Sequence, residues 1–196
     1  MGKGKLAKFA DMAANPLVVE RPYRPGDEPV RLDWHKEFFK NDNPIILELG
    51  CGRGEYTVGM GALYPHNNYI GVDIKGARLW KGAKYATENG LSNVGFLRTR
   101  IEFIESLFAQ GEVSEIWITF ADPQIGREKK RLTAPLFMNR YRNFLKAGGI
   151  VHLKTDSRYL HEYSIAMARQ NDLRILAYGT DIYGEDREKL YASELS

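Results

Sequence analysis

Cysteine is nearly absent: Cys51 is the only one in 196 residues. A chain with one thiol forms no internal disulfide and suits a reducing compartment, so the expected location is cytoplasmic. Histidine is also scarce. The four (His35, His66, His152, His161) are scattered, with no H-E-x-x-H or H-x-x-E-H spacing, so no metal site is expected. Long apolar runs are missing too. None approaches the ~18–20 residues that span a bilayer, and no signal-like apolar stretch follows the start, so no membrane partner is expected. The sixth position, where a myristoylation signal carries Ser or Thr, holds Leu6. Internal repeats and low-complexity segments are lacking as well.

What is present describes a folded domain. Hydrophobic residues make up 43% and charged residues 27%, which places the chain among globular proteins of one-domain size. The net charge of +3 favours no partner by itself. Its distribution says more. Lys3, Lys5 and Lys8 gather near the start, and Arg127, Lys129, Lys130 and Arg131 gather in one loop. Local basic patches indicate nucleic acid better than a total does.

Residues 1–44 hold Pro16, Pro22, Pro25 and Pro29 and read as a basic arm rather than a core element. A short amphipathic helix over Asp33–Lys40 interrupts it, with Trp34, Phe38 and Phe39 on one face. From residue 45 the pattern alternates. Strands are predicted at Ile45–Leu49, Tyr69–Val72, Val94–Arg98, Glu115–Phe120, Ile150–Lys154 and Leu173–Tyr178. Helices are predicted at Glu55–Leu63, Gly76–Asn89, Ile101–Ala109, Pro135–Lys146 and Tyr159–Gln170. This predicts an α/β domain over 45–196: a doubly wound, mainly parallel sheet with helices on both faces. Ligands of such sheets lie at the carboxyl ends of the strands. The loops there read ELGCGRGE, VDIKG, RTRIE, FADPQ and LKTDS, and they carry Glu48, Asp73, Glu102, Asp122 and Asp156.

Gly50, Gly52 and Gly54 stand at alternate positions after the first of these strands. A dinucleotide fingerprint, G-x-G-x-x-G, needs a third glycine where Glu55 stands. Glu55 and Glu48 also make the site acidic, which disfavours a pyrophosphate at the helix N-terminus. An acidic site accepts a phosphate-free cation. S-adenosylmethionine is one, with its ammonium, its sulfonium and a ribose bearing two hydroxyls. Asp73, 21 residues beyond Gly52, can accept from both hydroxyls. Cys51 has no evident base partner and reads as a small residue tolerated in the loop.

The stretch TFADPQIGREKKR ends an apolar strand on a carboxylate and then sets four cations within nine residues of it. Such a site suits a substrate polar at its tip and anionic along its body, as a nucleotide within a nucleic acid is.

ELGCGRGEYTVG, NYIGVDIKGARLW, FLRTRIE, the D-P-Q turn with KRLT, and LKTDS resemble, in this order and spacing, the bacterial tRNA (guanine-N7-)-methyltransferases. The start GKGKLAKFADMA resembles the arm of their Bacteroidetes-type members. The resemblance spans nearly the whole chain. It implies a class I, Rossmann-like methyltransferase sheet and S-adenosylmethionine as cofactor, with S-adenosylhomocysteine as product. It implies tRNA as partner and 7-methylguanosine in the variable loop as outcome. Glu48, Gly50, Gly52, Asp73, Thr99, Arg100 and Asp122 are expected at the cofactor, with Asp122 the catalytic residue between cofactor and guanine. Gly126, Arg127, Lys129, Lys130, Arg131 and Asp156 are expected at the substrate. The sequence departs from the family in having Ala121 before the Asp-Pro turn, Gly126 in place of a lysine, and Arg100 in place of Asn or Asp. The family continues into a T-x-x-E segment and a final antiparallel strand, so relative to it the domain is expected to be C-terminally truncated.

Guanine N7 carries a free lone pair, so its methylation requires no general base, in keeping with the absence of a poised histidine. Asp122 can accept from the N1 and N2 protons of guanine and offset the charge the ring gains. Two alternatives stay open: a class I methyltransferase of a small molecule or protein, and a non-catalytic RNA-binding relic. The sequence assigns no oligomeric state.

Overall fold

The computed structural model describes residues 3–21 and 31–184. Pro22, Pro25, Pro29 and the end of the chain lie outside the described residues, as do the side chains of Lys3 and Lys5.

Six strands form one sheet: β1 (Val18–Glu20), β2 (Ile45–Leu49), β3 (Asn68–Asp73), β4 (Val94–Arg98), β5 (Val113–Thr119) and β6 (Leu145–Lys154). Their order is β1-β4-β3-β2-β5-β6. Every pairing among the described residues is parallel. The helices are α1 (Lys3–Ala14), α2 (Glu55–Leu63), α3 (Gly76–Glu88), α4 (Pro135–Tyr141) and α5 (Arg158–Gln170). The chain builds outward from β2 through β3 and β4, then returns to the other side of β2 with β5. That reversal opens a crevice between the carboxyl ends of β2 and β5. None of the described helices is long and apolar enough to cross a membrane.

The apolar run Ile-Ile-Leu-Glu-Leu of β2 is buried along its length, as a central strand covered on both faces requires. Ile45, Leu47 and Leu49 join the cluster around Trp34, Phe108, Tyr141 and Phe144. Ile46, on the opposite face, joins Met12, Leu79, Ala83 and Phe96. On α3 the buried Leu79, Gly82, Ala83 and Ala86 recur at helical spacing and seat the helix on that second face. Pro135 opens α4, where a missing N–H costs nothing, and the Ser157 hydroxyl caps α5 by accepting from the Leu160 N–H.

The fold corrects four expectations. The segment before residue 45 is not merely an arm. Helix α1 packs on α3 with Met12 buried, β1 extends the sheet beside β4, and Trp34 is 1% exposed, stacked on Phe108 at 5.5 Å. Leu173–Tyr178 forms no strand; the run follows α5 without pairing to the outer edge of β6, and Leu176 and Tyr178 are exposed. The helix expected to reach Lys146 ends at Tyr141, because Leu145 already pairs with Val113. Gly148, at φ +75°, lies in the bulge that lets Ile150 pair with Glu115. Ile101–Ser106 is a 3-10 turn rather than a longer α-helix.

Candidate active site

Gly50, Gly52 and Gly54 leave β2 with φ of 75°, 59° and 74°, a left-handed backbone that favours glycine. At Gly54 a Cβ would also fall 2.5 Å from Phe96 Cε1. Above Gly50 and Gly52 a Cβ would meet nothing within 4 Å, so the space over the loop is open. The Gly50 and Cys51 N–H groups both donate to the Val72 carbonyl, at 2.8 and 3.1 Å, which lashes the loop to β3. Asp73 completes the tie: its carboxylate accepts from the Gly52 N–H at 3.0 Å and the Lys75 N–H at 2.8 Å. Each oxygen retains capacity for a further donor. Burial, with Glu48 and Asp73 nearby, pushes the Cys51 thiol well above its ordinary range, so it is no nucleophile.

Glu48, expected at the cofactor, is placed behind the loop. It is 3% exposed and accepts from the Thr57 N–H at 2.9 Å and from the Thr57 and Thr119 hydroxyls. The carboxyl group therefore joins β2, α2 and β5. Desolvation raises its pKa despite the bonds from Thr119 and Thr57, which act the other way.

A cleft of about 350 Å³ opens at this edge, between Gly50 and Asp73 on one side and Gln124, Arg127 and Lys130 on the other. Thr99, Arg100, Ile101 and Glu102 form its floor. Of the residues expected at the cofactor, Gly50, Asp73, Thr99 and Arg100 line it, whereas Glu48, Gly52 and Asp122 do not. The Thr99 hydroxyl is buried without a hydrogen-bond partner. A buried unpartnered hydroxyl costs about 1–3 kcal/mol, so it is a ready contact for a ligand. Arg100 is exposed, 3.8 Å from Glu102 and over the Phe103 ring at 5.8 Å, so its charge lies along the 3-10 turn. An acceptor pair on Asp73, an orphaned hydroxyl and open space above glycine fit the ribose and base of an adenosyl group.

The D-P-Q turn faces this cleft across the crevice. Phe120 and Gln124 both have φ of 48°, and Gly126 has φ of 73°. At Gly126 the left-handed backbone suits glycine, and the space where a side chain would stand is open. Asp122 is exposed and accepts from the Gln124 N–H at 2.9 Å, closing an Asx turn. Arg127, Lys129 and Lys130 are exposed as expected. Arg131 is not. It is 4% exposed, donates to the Pro123 carbonyl at 3.1 Å and the Tyr159 hydroxyl at 2.6 Å, and lies over the Tyr159 and Tyr163 rings at 4.9 and 4.2 Å. Its guanidinium thus staples the turn to α5 instead of facing a polyanion. Asp156 stands exposed at the start of α5.

Sequence reasoning missed a second group at this edge. Lys154, the last residue of β6, has the rings of Tyr56, Phe120 and Tyr183 around its ammonium. Burial opposes its charge, but hydrogen bonds to the Tyr183 and Tyr56 hydroxyls outweigh that and lift its pKa. A lysine closing a strand gives no signal of such a surrounding. Thr57, nine residues past Glu48, does: it is a hydroxyl on the buried side of a helix. Four other large aromatics already have partners: Trp117 stacks on His152 at 4.0 Å, Tyr141 lies in the core, Trp80 packs with Lys8, and Tyr159 holds Arg131. Away from the cleft, Asp33, His35 and Glu112 bring ligand atoms within 4.8 Å of one another, a grouping that spacing along the chain does not reveal.

The strand order, the glycine loop tied to an acid on the next strand, and the cleft at the crevice define a methyltransferase of the class I type. Comparison agrees: a family model described as "Putative methyltransferase" matches residues 42–191. The chain is 56% identical over 189 residues to the tRNA (guanine-N(7)-)-methyltransferase of Bacteroides fragilis, covering 95% of this chain and 75% of that one. It is 33% identical over 168 residues to the protein of that name from Listeria monocytogenes, covering 85% and 78%. Among solved structures, the aminoglycoside resistance methyltransferase NpmB1 shares the fold at TM-score 0.53 and 17% identity, over 82% of this chain and 73% of that one. The chain belongs to the tRNA (guanine-N7-)-methyltransferase family.

Proposed function

We propose that this chain transfers a methyl group from S-adenosylmethionine to N7 of a guanine in tRNA, in the variable loop, giving 7-methylguanosine. The observation that carries this is the meeting, at one crevice, of a cleft bordered by the glycine loop, Asp73 and Thr99 with an exposed carboxylate on a turn followed by cations. The names of the relatives support it. Asp73 would hold the ribose, Thr99 the base, and the open glycine loop the rest of the cofactor. When bound, the cofactor supplies an electrophilic methyl on a sulfonium.

The chain's own residues then have to orient rather than deprotonate, because N7 already offers its lone pair. In this reading Asp122 accepts from the N1–H and N2–H of guanine and offsets the positive charge the ring gains. Arg127, Lys129 and Lys130 meet phosphates.

The test is transfer of labelled methyl to bulk tRNA against a metabolite pool, with nucleoside mass spectrometry of the product. Label should appear in tRNA as 7-methylguanosine. Asp122→Ala should cut turnover by roughly 10²-fold or more while calorimetry shows cofactor affinity intact. Label confined to small molecules would overturn the substrate, and wild-type turnover in the variant would overturn the role of Asp122.

A further inference from the structure

We propose that Lys154 reads O6 of the target guanine, and that Tyr56, Phe120 and Tyr183 wall the place where the ring lies; this rests on the guanine-N7 reading above.

The position is right for a base presented to the cofactor. Lys154 ends β6, and its carbonyl accepts from the Phe120 N–H at 2.8 Å, so it stands level with the start of the D-P-Q turn. Tyr56 lies two residues past Gly54, and Phe120 two residues before Asp122. The ammonium is 5.0 Å from the Tyr56 ring, 5.8 Å from Phe120 and 4.9 Å from Tyr183. It therefore lies between the glycine loop and the proposed guanine carboxylate.

The surroundings are those of a place to be filled. Phe120 is 50% exposed on a left-handed backbone, an apolar ring in water at a strained residue. Tyr56 and Phe120 are 6.0 Å apart and tilted by 55°, two faces on which a planar base can rest. Tyr183 is 79% exposed, and its hydroxyl oxygen accepts from Lys154 Nζ at 2.8 Å. Its N–H donates to Asp181 Oδ1 at 3.3 Å, which leaves the ring free to swing, so an incoming acceptor can take the place of its hydroxyl.

The chemistry selects the acceptor. Guanine presents N7 and O6 on the same edge. Methylation consumes the N7 lone pair, so a donor on this edge has to engage O6 alone. A lysine is a point donor and can do this; an arginine fork would cover N7 as well. Adenine has an amino group at that place and offers the ammonium nothing to donate to. Asp122 would take the opposite edge through N1 and N2. Phosphate is the other acceptor in RNA, but three ring faces form a wall for a flat base and not for a solvated anion.

The experiment compares kcat/KM for tRNA carrying guanosine or 6-thioguanosine at the target. The thio base keeps N7, N1–H and the N2 amine, and replaces O6 with a weak acceptor. The wild-type chain should prefer guanosine by about tenfold or more, the size of one charge-assisted hydrogen bond. Lys154→Met should bring the ratio close to one. Lys154→Gln, which retains a donor, should keep an intermediate ratio. It also decides the matter if the Met variant does not fold by thermal melting. An unchanged ratio in a folded variant overturns the proposal. So does an unchanged ratio accompanied by a shallower salt dependence of RNA affinity, which would make Lys154 a phosphate contact. If the wild-type chain methylates no guanosine, the functional reading falls before O6 is tested.

Discussion

Glu48 and Glu115 are displaced in opposite directions by their neighbours. Desolvation raises the pKa of Glu48, so the folded chain favours its protonated form. The stability this lends is complete below the ordinary glutamate range and is lost as pH rises through the raised folded value. Glu115 is held by the His152 ring at 3.1 Å and the Trp117 N–H at 3.3 Å, and the bond to His152 lowers its pKa. Its contribution is present above the ordinary range and is lost as pH falls through the lowered value. Thermal melting between about pH 3 and about pH 8 separates the two. Glu48→Gln should soften the decline on the neutral side, and Glu115→Gln the decline on the acid side. Steeper declines in the variants would show that neighbours other than these set the two carboxyl groups.

At the scale of elements, the D-P-Q turn depends on α5. Arg131 supplies two hydrogen bonds and two ring contacts across that junction. Arg131→Met should lower the unfolding free energy by about 2 kcal/mol and slow turnover, since Asp122 loses its support. Lys129→Ala, two residues away and exposed, should leave stability unchanged. Urea denaturation of both variants checks this; equal stability would return Arg131 to the RNA-facing set. This staple also shows where sequence reading stops. The glycine loop and Asp73 were legible, because left-handed turns and an acid at that spacing leave a mark along the chain. The central strands were legible as continuous apolar runs. Arg131 looked like its three cationic neighbours, and only the approach of Tyr159 and Tyr163 from a distant helix distinguishes it. Val18–Glu20 is too short to announce a strand, and becomes one because the edge of β4 is available. Leu173–Tyr178 has the right residues yet leaves the outer edge of β6 unpaired among the described residues, which composition alone does not foretell.

Over the whole molecule, the surface near the cleft mixes exposed cations with exposed apolar side chains, Ile74, Phe120 and Ile125 among them. Arg127, Lys129 and Lys130 remain exposed on the rim, within a chain of net charge +3. If they neutralise phosphates, tRNA affinity falls steeply with salt, and removing each cation lowers the slope of log affinity against log salt by about one. Filter binding over a salt series with single and triple alanine variants measures this. A slope indifferent to the triple change would place the RNA on another face.

The lone thiol gives the fold a built-in clock. Cys51 lies in the glycine loop with its side chain buried, and no second thiol exists in the sequence to confuse a signal. An alkylating reagent reaches it only in the moments when the loop lifts off β3, so the speed of labelling counts those openings. A small molecule that settles on the loop and holds it down slows the count, and reveals itself without any turnover being measured.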